Sequence, residues 1–77
     1  MKKNFLFVVC ENKAEKMVQE TLTKNKIKTQ SSRSLGNVHV FYLMDAESKI
    51  TETGCSLIGL KNSLPIKIEI FDQNGVI

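Results

Sequence analysis

The stretch Phe5–Cys10, Phe-Leu-Phe-Val-Val-Cys, is apolar at every position. In an extended strand successive side chains point to opposite faces. Phe5, Phe7 and Val9 then fall on one face, and Leu6, Val8 and Cys10 on the other. A strand with one face in water alternates with polar residues. This one does not, so it predicts a central strand covered on both faces. A chain of 77 residues makes one domain, 1–77, which buries only roughly 60% of the surface its unfolded form exposes. Oligomerisation is a common way for so small a domain to gain cover.

A helix is predicted next. Asn12 is placed to cap it, and Glu15, three residues on, completes a capping-box spacing. Ala14, Met17, Val18, Thr21 and Leu22 recur at helical intervals as one apolar stripe. Lys24 and Lys26 crowd its C-terminal end, and Asn25 is a natural stop. Residues 27–33 are polar and weakly alternating, which suits an edge strand. Gly36-Asn37 supplies a reversal. Val38–Leu43, Val-His-Val-Phe-Tyr-Leu, is apolar at nearly every position and reads as a second central strand. A second helix is expected from an Asp45 or Ser48 cap to Asn62-Ser63, carrying Ile50, Gly54, Leu57 and Ile58 inward. Pro65 introduces an alternating strand, Ile66–Phe71, followed by a turn at residues 72–75 and a short tail.

The order β-α-β-β-α-β is that of an α+β, ferredoxin-like sandwich: a four-stranded antiparallel sheet with two helices on one face. In that arrangement the first and third strands are central, which agrees with the two apolar runs. Both helices cover the same face, so the other is bare. We expect Phe5, Phe7, Val9, His39, Phe41 and Leu43 to share one face. Phe5, Phe7, Val9, Phe41 and Leu43 are the candidate subunit interface, because so apolar a surface does not stay in water.

Chemistry-bearing residues are few. Cys10, at the end of the first strand, and His39, on the third, are candidate soft-metal ligands, His39 reaching a cysteine of another subunit. A metal ion is the one cofactor these residues suggest; the commoner role for each is packing. Arg33, Ser34 and Gly36 form a candidate anion-binding turn. Paired catalytic carboxylates, a Ser-His-Asp order and a Walker loop are absent, so no enzyme is expected. Two cysteines are too few for a disulfide scaffold and point to reduced thiols in the cytoplasm. The apolar run stops at Glu11, short of the usual signal-peptide core, and no stretch reaches membrane-spanning length.

Val8-Val9-Cys10, the helix that follows at once, and residues 28–33 running into Leu35-Gly36 together resemble the P-II/CutA-like group of ferredoxin-like proteins. CutA-like proteins often end this strand in a cysteine, here Cys10. P-II proteins carry Gly-x-Gly before a long ligand loop, here Ser34-Leu35-Gly36, with the loop itself missing. The resemblance implies a homotrimer with inward-facing sheets that senses a small ligand or metal and contacts a target protein. RNA-recognition motifs supply a second comparison. Leu6-Phe7-Val8 matches the first of their aromatic motifs, and Gly36–Tyr42 the second in part, with Asn37 and His39 at aromatic positions. Single-stranded RNA binding therefore ranks second, and a purely structural module third.

Overall fold

The computed structural model describes residues 3–63 and 65–76. Strand β1 runs Lys3–Glu11 and leads through one 3-10 turn, Asn12–Ala14, into helix α1, Glu15–Lys24. Strands β2 (Thr29–Leu35) and β3 (Val38–Ala46) form a hairpin. Helix α2 spans Glu47–Ser63, and β4 (Ile68–Asp72) and β5 (Gly75–Val76) close the chain. The expected turn and tail after Phe71 are thus a second hairpin, with Val76 paired to Phe71. Leu64, expected beside Pro65 ahead of the last strand, lies outside the described residues.

The sheet order is β2-β3-β1-β4-β5, antiparallel throughout. The two apolar runs do occupy interior positions. The molecule is an α+β fold in which both helices press on one face of the sheet. Ala14, Val18 and Leu22 from the first helical segment and Ile50 and Leu57 from α2 form one core with Leu6, Val8, Phe41, Leu43, Ile68 and Ile70.

Helix α1 starts without the predicted cap. Among the described residues no side chain caps either the 3-10 turn or α1, and Asn12 instead donates from Nδ2 to the Gly36 carbonyl at 3.0 Å. Its other end is closed by backbone. Lys26 N–H donates to the Thr23 carbonyl at 3.0 Å and Ile27 N–H to the Leu22 carbonyl at 3.2 Å. This is a Schellman closure with Lys26 in the left-handed region, φ 56°. It turns Ile27 back into the core, where it is 6% exposed. Helix α2 begins at Glu47, two positions after Asp45 and one before Ser48, so neither expected residue is its cap. The Asp45 carboxylate accepts the Ala46 N–H at 2.7 Å, and Ser48 lies within the helix. In the β2–β3 turn Gly36 has φ 61° while Asn37 keeps a negative φ, the sign pattern of a two-residue II′ turn. That turn fixes Leu35 opposite Val38, Ser34 opposite His39 and Arg33 opposite Val40. A bulge between Thr29 and Ser31 then shifts the register.

The face assignment differs from the expectation by one residue. Phe7 pairs with Tyr42 and Val8 with Phe41. Directly opposed residues share a face, so Phe5, Phe7 and Val9 stand with Val40, Tyr42 and Met44, not with Phe41 and Leu43. A one-residue slip of register exchanges the two faces completely. With both strands apolar at nearly every position, the hydrophobic pattern could not choose. Phe41 and Leu43 are fully buried core residues and leave the candidate interface.

Candidate functional site

Two places concentrate the chemistry-bearing side chains, one on each face of the sheet. On the helix side, Cys10 and His39 are directly opposed on β1 and β3, so the structure brings them together. Both are nearly buried, at 1% and 7% exposure. The imidazole is held within its own chain. Its Nε2 lies 2.6 Å from Ser32 Oγ and its Nδ1 3.4 Å from Ser34 Oγ, with the Glu15 carboxylate 3.8 Å from Nδ1. Ser34 Oγ donates its one proton to Asn12 Oδ1 at 3.4 Å, tying the hairpin to the start of the helical segment. It can then only accept from the ring, which places the proton on Nδ1 and leaves Nε2 to accept from Ser32 Oγ–H.

Burial pushes the Cys10 thiol up to about 11, and the nearby carboxylates of Glu15 and Glu11 add to the rise. A thiol so placed stays protonated at neutral pH and is a poor nucleophile. His39 points under the helices and away from the bare face. The expectation that it reaches a cysteine of another subunit across the sheet interface is therefore corrected. Among the described residues, no group of three or more His, Cys, Asp or Glu is arranged to hold a metal ion.

The anion-binding turn is also divided. Ser34 faces His39 on the helix side, whereas Arg33, opposite Val40, points to the other face. Gly36 lies at the turn itself, its carbonyl taken by Asn12. Strand alternation thus keeps the Arg33 guanidinium away from Cys10 and Ser34. The two-residue turn already implied this pairing from sequence.

The bare face is the second place. Phe5, Phe7 and Tyr42 form an aromatic cluster: ring centroids are 4.8 Å apart for Phe7–Tyr42, 5.7 Å for Phe5–Phe7 and 6.4 Å for Phe5–Tyr42. Val9 and Val40 extend it along the strands. Phe7 and Met44 are each 39% exposed, and Leu35 at the corner 53%. Val40, Tyr42 and Met44 are the members that sequence reasoning missed. The missing signal was the ladder register alone.

The registers arrange this face in rows. One row reads Arg33–Val40–Val9–Glu69 across β2, β3, β1 and β4; the next reads Ser31–Tyr42–Phe7–Phe71. The centre is apolar, and opposite charges stand at the two ends of one row.

A cavity of about 300 Å³ opens elsewhere, between the start of β1, α2 and the β4–β5 hairpin. Leu6, Ile50 and Ile58 line it, with Asn4, Glu47 and Asp72 among its polar residues. Cys55, exposed on α2, borders it. It lies at the opposite end of β1 from Cys10.

The arrangement defines an α+β domain with one covered and one bare sheet face, and no helix of its described residues is long and apolar enough to cross a membrane. No protein-family model and no curated protein matches the chain. Among solved structures it is similar to a de novo designed protein, Ferredog-Diesel, with a TM-score of 0.54 and 9% sequence identity over 90% of this chain and 83% of that one. A likeness at that identity concerns the fold alone.

Proposed function

We propose that the chain is a non-enzymatic regulatory domain of ferredoxin-like arrangement that works as a homo-oligomer, its bare sheet face forming the contact between copies. The strand order with β1 and β3 inside supports the ferredoxin-like reading. The observation that carries the functional reading is the aromatic and aliphatic centre of the bare face, Phe5, Phe7, Val9, Val40, Tyr42 and Met44, with no element of the described residues packed on it. In the P-II/CutA-like reading the inward-facing sheets are this face. A ligand sensed there would be small and largely apolar, since Cys10 and His39 are on the other side.

The area fits such a contact. Strands of nine, seven, nine and five residues, at about 3.3 Å per residue and 4.8 Å spacing, present roughly 500 Å² in projection, the scale of a small specific interface once side chains are counted.

A second reading, single-stranded nucleic acid, is favoured by one observation: the Phe7–Tyr42 pair at 4.8 Å on adjacent central strands is a stacking platform. Charge favours the first reading. Phosphate tracking calls for a stripe of cations, whereas Arg33 on this face is balanced by Glu69, and Lys13 pairs with Glu11 at 3.4 Å.

Sedimentation equilibrium of the wild type and of Phe7→Glu separates the readings. We expect a wild-type mass of a multiple of 8.7 kDa and a folded, smaller Phe7→Glu species. A wild-type monomer at high micromolar concentration, with tight oligouridylate binding lost in Phe7→Ala, would put the second reading first.

A further inference from the structure

Building on the proposed sheet-to-sheet contact, we infer that two copies pair about a twofold axis running along the strands, midway between β1 and β3, so that Arg33 of each copy meets Glu69 of the other. The inference rests on the row Arg33–Val40–Val9–Glu69, which spans the sheet as cation, apolar, apolar, anion.

A twofold interface must be self-complementary. An axis along the strands reverses each row end for end. Arg33 then faces the second copy's Glu69 at both edges, Val40 faces Val9, and in the next row Tyr42 faces Phe7. Packed sheets stand about 10 Å apart, a gap that an arginine and a glutamate side chain span together. Glu11 stays at the end of the sheet with its own Lys13 at 3.4 Å.

The crosswise axes are worse. One placed on the Arg33 row sets Arg33 on Arg33 and Glu69 on Glu69. One placed between the two rows sets Glu69 against Phe71 and leaves Arg33 facing a serine, so both charges lose water without a partner. One placed on the Tyr42 row keeps apolar contacts but leaves the two charges unmatched. Only the strand-parallel axis matches both. Among the described residues Glu69 has one weak ion-pair partner, Lys61 Nζ at 4.0 Å, with the glutamate exposed and the lysine half-buried. That leaves its carboxylate available to a second copy.

The test is a charge exchange read by sedimentation equilibrium, with circular dichroism verifying that each variant folds. Arg33→Glu and Glu69→Arg should each raise the dimer Kd about tenfold or more, because each sets like charges face to face. The double variant Arg33→Glu/Glu69→Arg should recover affinity to within about threefold of wild type, since exchanged charges still match. Lys61→Ala, which frees Glu69, should leave the Kd unchanged or lower it. A dimeric wild type whose double variant is as weak as the sum of the single ones overturns the axis and leaves the sheet-face reading standing. A monomeric wild type overturns both.

Discussion

Replacing Phe41 and Phe7 by alanine, one at a time, puts the assignment of the two sheet faces at risk. Phe41 is fully buried among the core residues, its ring 4.7 Å from the His39 ring. Truncating such a phenylalanine costs about 3–5 kcal/mol in lost transfer energy and cavity. A 77-residue domain has a total stability of about 4–12 kcal/mol, so Phe41→Ala should lose a large share of it. Phe41→Leu, at about 1–2 kcal/mol, gives a graded version. Phe7 is 39% exposed and touches Phe5 and Tyr42 on the bare face. In an isolated copy its removal forfeits part of one ring's burial and two ring contacts, about 1 kcal/mol. Urea unfolding followed by circular dichroism measures both. With a slope of about 1 kcal/mol per molar for so small a domain, the midpoints should differ by 2 M or more. Dilution separates folding from association: the Phe7→Ala effect should shrink as the protein is diluted, whereas the Phe41→Ala effect should not. Equal losses for the two variants in dilute solution would refute the face assignment.

Three further outcomes follow from single residues. Cys10 titrates at about 11 in the fold against 9.0 for the ordinary thiol; between those values the unfolded chain has lost the proton and the fold has kept it, so stability falls as pH rises from about 9 to 11, by up to about 1.4 kcal/mol per unit, and Cys10→Ala should flatten that part of the stability curve. The Thr29 hydroxyl is buried without a hydrogen-bond partner among the described residues, opposite Leu43; Thr29→Val, which keeps the shape, should raise stability by about 1 kcal/mol in a thermal melt. Lys26 holds φ 56°, which costs a residue with a Cβ about 1 kcal/mol; Lys26→Gly should raise the urea midpoint, and a lowered one would mean that the lysine side chain contributes more than its backbone costs.

Much of the architecture could be read from hydrophobic pattern. Phe5–Cys10 and Val38–Leu43 declared themselves interior because both alternating sets are apolar, and the polar segment through residue 33 declared an edge. The stripe Ala14–Leu22 placed α1 correctly because a period near 3.6 has no competing reading there. The same apolar richness hid the register. Where every position of two strands is hydrophobic, pattern cannot say which of Phe41 and Tyr42 stands beside Phe7, and only the ladder does. The helix-side cluster was accessible in principle, since a two-residue turn at Gly36-Asn37 forces Ser34 opposite His39 and sends Arg33 to the far face. Joining His39 to Cys10 and Glu15 needed the crossover through α1, which sequence spacing does not encode. The missing cap at Asn12 has a similar cause: its amide is drawn to the Gly36 carbonyl of the distant hairpin, a partner that a local capping rule cannot see.

The central claim is that a second copy covers the bare sheet face. The most direct measurement is an isotope-filtered NOE experiment on an equal mixture of labelled and unlabelled protein at sub-millimolar concentration, which reports only contacts between copies. A sheet-to-sheet pair predicts cross-peaks joining the Val9 methyls of one copy to the Val40 methyls of the other, and the Phe7 ring of one copy to the Tyr42 ring of the other. Cross-peaks confined to the exposed side of α1, at Lys16 and Glu20, or none at all from a species of 8.7 kDa, would contradict it.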